Sequence, residues 1–89
     1  MPLISNFFGI EIRMHVNDDK QHKLPHIHAY YQGQRAVFSI SDGTVLAGKL
    51  PRRQRRLVQA WIEIRNEELI DDWELAVQGT APSPIRPLS

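Results

Sequence analysis

The stretch HIHAYYQGQRAVFSI, residues 26–40, decides the fold of this chain. Its first half alternates, with Ile27, Ala29 and Tyr31 on one side and His26, His28 and Tyr30 on the other. Its second half alternates again through Ala36, Phe38 and Ile40. Period two is the mark of a half-buried strand. Between the halves, Gly33-Gln34 suits a type II′ turn, because glycine accepts the positive φ of its first central position. That turn sets Tyr31 against Ala36, Ala29 against Phe38 and Ile27 against Ile40. Every facing pair is inward, and a one-residue slip would turn the histidines in instead.

The same pattern extends in both directions. Asp42-Gly43 is a hairpin signal leading to a short strand over about 44–48, with Ile40 opposite Val45 and Phe38 opposite Ala47. Upstream, residues 8–16 read as the first strand, with Phe8, Ile10, Ile12, Met14 and Val16 inward and Glu11, Arg13 and His15 outward. The polar run 17–25 reads as a loop. Downstream, Pro51 fits the first position of a helix. Leu57, Val58, Trp61, Ile62 and Arg65 follow at helical spacing, with Arg52, Arg56, Gln59 and Glu63 opposite. Asn66 reads as the cap of a second helix, whose stripe is Leu69, Ile70, Trp73, Ala76 and Val77 and whose end is Gly79. Trp61 and Trp73 are expected to pack the helices onto Phe8, Phe38 and Tyr31. The expected fold is α+β: a four-stranded antiparallel meander followed by two C-terminal helices packed on one face. Residues 1–79 form one domain, and 80–89, with Pro82, Pro84 and Pro87, form an extended tail. Ile85 and Leu88 of that tail could cover an open sheet edge or dock onto a partner, and an uncovered edge makes a homodimer plausible.

Composition narrows the classes of function. Eighty-nine residues with 42% hydrophobic content support one modest core. The absence of cysteine excludes a disulfide scaffold, a thiolate metal site and a cysteine nucleophile. No run is long and apolar enough to span a membrane and no secretion signal opens the chain, so the expectation is a cytoplasmic protein without a membrane role. No Gly-rich phosphate loop, serine nucleophile elbow or metalloprotease helix is present. The net charge of +1 hides segregation. Lys49, Arg52, Arg53, Arg55 and Arg56 form a block without an acid, whereas Glu63, Glu67, Glu68, Asp71, Asp72 and Glu74 surround only Arg65.

Two groups of residues carry candidate chemistry. His26 and His28 share a strand face, ~7 Å apart, and His15 on the neighbouring strand falls opposite one of them. Three imidazoles on an open sheet face, with Asp18, Asp19 and His22 at the rim, could bind a divalent metal such as Zn²⁺ through His15, His26 and His28. His26 and His28 could instead act as a general acid–base pair on RNA. The plainer expectation is that they are polar residues of a solvated strand, with no cofactor. The second group is Arg52, Arg53, Arg55 and Arg56 at a helix start, where positive charge opposes the helix dipole by ~0.3–1 kcal/mol per residue. Arg52 and Arg56 add a like-charge i,i+4 pair. Local stability does not account for the block, so it reads as a surface for an anionic partner, with Tyr30 the one clearly outward aromatic.

Across the whole chain the order Phe7-Phe8-Gly9-Ile10, His22-Lys23-Leu24-Pro25-His26-Ile27-His28, Asp42-Gly43, Gly48-Lys49-Leu50-Pro51, Leu57-Val58-Gln59-Ala60-Trp61, Asp72-Trp73-Glu74-Leu75-Ala76 and Pro84-Ile85-Arg86-Pro87-Leu88 resembles the bacterial domain-of-unknown-function family 4160. The resemblance implies a gene beside that of another small protein, in an arrangement like a toxin–antitoxin pair. It therefore implies a small partner protein, or RNA. Many relatives carry histidine where this chain has Arg65, so a site needing that histidine is incomplete here. The expected function is that of a small interaction protein, one component of such a pair. A histidine-dependent endoribonuclease toxin and a His-x-His metal-binding protein are the alternatives.

Overall fold

Two tight turns with positive φ organise the N-terminal half. The computed structural model describes residues 2–16 and 24–88. Phe8 and Gly9 have φ of 51° and 78°, and Gln32 and Gly33 have 46° and 80°. Positive φ at both central residues is the type I′ pattern, whose twist matches that of the strands it joins. The first turn joins β1 (Leu3–Phe7) to β2 (Ile10–Arg13) and the second joins β3 (His26–Tyr31) to β4 (Gln34–Ser39). With β5 (Val45–Gly48) they form an antiparallel sheet in the order β1-β2-β3-β4-β5. The sheet has five strands, not four. The expected first strand over 8–16 is in fact the turn, β2 and the residues just after it. Phe8 is exposed at the turn, and Phe7 takes the inward position instead.

The turn at Gln32-Gly33, not Gly33-Gln34, moves the β3–β4 register. Tyr31 faces Gln34, Ala29 faces Ala36 and Ile27 faces Phe38. The shift is by two residues, so every side chain keeps its face. At β5 Phe38 faces Val45, again two residues from the expected pair, but across a bulge Ala47 faces Val37 in place of Phe38, a one-residue shift that puts Ala47 on the histidine face and not the inward one. There the Ser39 N–H donates to the Thr44 carbonyl, and the Asp42 carboxylate accepts the Thr44 N–H at 2.9 Å. That backbone N–H holds the Asp42 carboxyl below its usual range.

Helix α1 (Arg52–Ile64) and helix α2 (Asn66–Val77) follow. Val58, Trp61 and Ile62 of α1 and Leu69 of α2 join Ile4, Phe7, Ile10, Ile12, Met14, Ile27, Ala36, Phe38 and Ile40 in one buried cluster. Phe7, not Phe8, meets Trp61, at 5.3 Å between ring centres. Asn66 is not the cap of α2. Arg65 occupies that position, and the Asn66 amide donates to the Ile40 carbonyl at 2.6 Å, tying the helix junction to the end of β4. Trp73 lies 5.0 Å from the His26 ring at the start of β3. Helix α2 therefore crosses the end of the sheet where β4 stops and β3 begins. Val77, expected on the apolar stripe, is exposed, and Asp72 is buried in its place among the inward residues. Gly79, at φ 86°, closes the helix in the left-handed conformation.

The proline-rich tail takes up no regular structure but is docked on the β1 edge. The Ile85 N–H donates to the Ile4 carbonyl at 2.7 Å, the Ser5 hydroxyl to the Ile85 carbonyl, and the Trp61 indole to the Arg86 carbonyl. Ile85 is buried in the main core.

Candidate functional site

The alternation of β3 puts His26, His28 and Tyr30 on the face opposite Ile27 and Ala29, and β2 adds Glu11 and Arg13 beside them. Glu11 pairs with Tyr30 and Arg13 with His28. The Arg13 guanidinium reaches the Glu11 carboxylate at 3.1 Å. His15, just beyond β2, stacks on His28 with ring centres 3.9 Å apart and planes 29° from parallel. His26 lies 5.4 Å from His28. The three histidines thus do converge.

They do not form an open surface. His26 is 0% and His28 3% exposed, and their β4 neighbours Ser39 and Val37 are buried as well. Alternation fixes which face a side chain joins, but not whether that face meets water. The expected solvated histidine face is therefore, at its centre, a second buried surface. His26 Nδ1 is 2.7 Å from the Leu24 carbonyl oxygen. A carbonyl only accepts, so Nδ1 carries the hydrogen there. The in-plane lone pairs of imidazoles stacked face to face lie in two nearly parallel planes, whereas metal ligands must aim at one point. Among the described residues no three His, Asp or Glu side chains form a group that could hold a metal ion. Asp18, Asp19 and His22, expected at the rim, lie outside the described residues. Tyr30 is half-buried, its ring stacked 6.4 Å from that of His28.

The arginine block meets the opposite fate. Pro51 precedes α1 without a side-chain cap, and the first turn holds no acidic residue. Arg52, Arg53 and Arg56 are exposed and Arg55 half-buried. Arg52, Arg53 and Arg56 line one open groove of about 470 Å³ together with Leu57. Among the described residues none of the four makes an ion pair; the pairs present are Arg13–Glu11 and Arg65–Glu68. Arg65 sits between the helices, 3.8 Å from Glu68, with its Nε buried. Three like charges around a leucine make a surface suited to an acidic group with an apolar neighbour.

Asp72 is the polar residue that sequence inspection passes over, since it stands in an acidic run that reads as solvated. Its Oδ1 accepts the Ser83 N–H at 3.0 Å and its Oδ2 is buried without a hydrogen bond. Burial pushes its carboxyl above the usual range, against the Ser83 N–H, which acts the other way.

A family model described as a domain of unknown function, DUF4160, matches residues 9–74. The chain belongs to the DUF4160 family. The matched span holds the histidines, the arginine block and Asp72, but neither β1 nor the docked tail of this DUF4160 protein. No curated protein and no solved structure matches it. No helix among the described residues is long and apolar enough to cross a membrane.

Proposed function

We propose that this DUF4160 protein is a small interaction protein that docks an acidic protein partner on the arginine-led start of α1, as one component of a toxin–antitoxin-like pair. The observation that carries the reading is the groove of Arg52, Arg53, Arg56 and Leu57, whose charges are exposed and unopposed by any described acid. Their placement works against the helix dipole, so an anionic partner supplies an attraction the isolated chain lacks. A protein is favoured over RNA because the groove offers no aromatic platform for bases, and Tyr30 is occupied against His28. An RNA-cleaving role would need His26 or His28 to reach a phosphodiester, and both rings are buried.

The test replaces Arg52, Arg53, Arg55 and Arg56 with serine together. Binding of the product of the neighbouring gene, measured by calorimetry, is expected to fall strongly with rising salt and to be lost in the variant. The melting temperature is expected to stay level or rise. Unchanged binding removes the proposal, and binding of RNA in place of the protein replaces the partner class.

A further inference from the structure

The tail on the β1 edge is held mainly through its main chain. The Ser83 and Ile85 N–H groups donate to Asp72 and Ile4, and the Ile85 and Arg86 carbonyls accept from Ser5 and Trp61. Of the residues in this run only Ile85 is fully buried. Such contacts select an extended segment with an apolar residue at one position, whichever molecule carries it. A cleft of about 300 Å³, bordered by Leu3, Asn6, Pro84 and Pro87, remains between tail and strand. The link from α2 to the tail, residues 78–81, is exposed throughout. Its reversal rests on Gly79 at φ +86°, where an added Cβ would meet nothing within 4 Å. The Gly79 and Thr80 N–H groups donate to the Ala76 and Leu75 carbonyls, so backbone hydrogen bonds, and not packing on Gly79, hold the reversal.

We propose that the β1 edge is an acceptor site for the tail of a second copy, so that two chains exchange residues 82–88 reciprocally and form a dimer. The occupant is a second copy because the segment that makes the four hydrogen bonds of this seat and sinks Ile85 into it is the chain's own Pro82–Leu88. Each contact of the closed form recurs in the exchanged one, so the equilibrium turns only on association and on the conformation of the link. Five residues from Gly79 to Ser83 span up to ~17 Å when extended, far enough to reach a neighbour whose link faces this one. Exchange also places two arginine grooves on one particle, which strengthens any bivalent docking without a new contact.

The experiment is sedimentation of the full-length chain from micromolar to near-millimolar concentration. The dimer fraction is expected to rise with concentration and to rise several-fold when Thr80 and Ala81 are deleted, since the link left after Gly79 is then too short to reach back to the chain's own β1 edge. Adding Ile85→Asp to the shortened chain is expected to return it to monomer. A second measurement uses the absence of native cysteine. Equal amounts of a Ser5→Cys chain and an Arg86→Cys chain are mixed and oxidised. Exchange predicts the mixed disulfide dimer in clear excess over both homodimers. Monomer at every concentration, a dimer that survives Ile85→Asp in the shortened chain, or a statistical mixture of disulfides each overturns the proposal.

Discussion

The two edges of the sheet are protected by different means. At the β1 edge, chain from the far end of the sequence lies over the strand and sinks Ile85 into the core. At the β5 edge no described segment makes a backbone hydrogen bond to the outer side of the strand. That strand is four residues long, joined to β4 through a bulge, half-buried in pattern and ended by Gly48 at φ 70°. Short, bulged strands are poor templates for further pairing, so they need no cover. The five-residue β1, with Ile4, Ser5 and Phe7 buried, is the longer template and is the one that is covered. One edge is guarded by tertiary structure and the other by its own geometry.

The largest expected effect breaks the covered edge. Trp61 is fully buried, packs on Phe7 of β1 and donates to the tail at Arg86. Trp61→Ala is expected to destabilise the protein by ~3–5 kcal/mol in urea titrations. Trp61→Phe, which keeps most of the packing and loses the hydrogen bond, is expected to cost ~0.5–1.5 kcal/mol beyond repacking. Next in size is the open edge. A Cβ on Gly48 would run into the Arg35 carbonyl of β4 while the backbone holds a positive φ. Gly48→Ala is therefore expected to cost ~1–3 kcal/mol and to speed hydrogen exchange in β5 while leaving the β1 amides protected.

The smallest effect sharpens the comparison by tightening the cover. The Asp72 carboxyl is raised above its unfolded value, so the fold favours the protonated form. The stability this contributes is complete below the unfolded value of 3.8 and is lost as pH rises through the folded pKa. Asp72→Asn keeps an oxygen for the Ser83 N–H and removes the charge. It is expected to melt higher than the wild type at neutral pH and equally at acid pH, by calorimetry across that range.

Much of the open edge and little of the covered one was legible in the sequence. The alternation of 26–31 and 35–40 and the two helical stripes needed only neighbours a few residues away. Even the misplaced Gln32-Gly33 turn preserved the faces, since the error was two residues. β1 was hidden because its register shifts between Leu3 and Ser5, which buries Ile4 and Ser5 side by side and breaks the alternation. The Phe8-Gly9 turn was hidden because it asks a phenylalanine to adopt positive φ, a conformation bulky residues rarely take. At the candidate site, the grouping of His15, His26 and His28 followed from strand parity. Their burial did not, because parity says nothing of what lies above a second sheet face. The exposure of the arginines was readable from composition, whereas the role of Asp72 depends on Ser83, which reaches it only after the chain has reversed at Gly79.

The bond from Ser5 to Ile85 joins residues 80 apart in the chain. During synthesis at roughly 5–20 residues per second, the first strand therefore waits about 4–16 s, naked along its outer side, before its partner has even been made. A chain that ends after α2 is expected to bind chaperones more strongly in a pull-down than the chain carried through its tail, which covers β1 with Ile85.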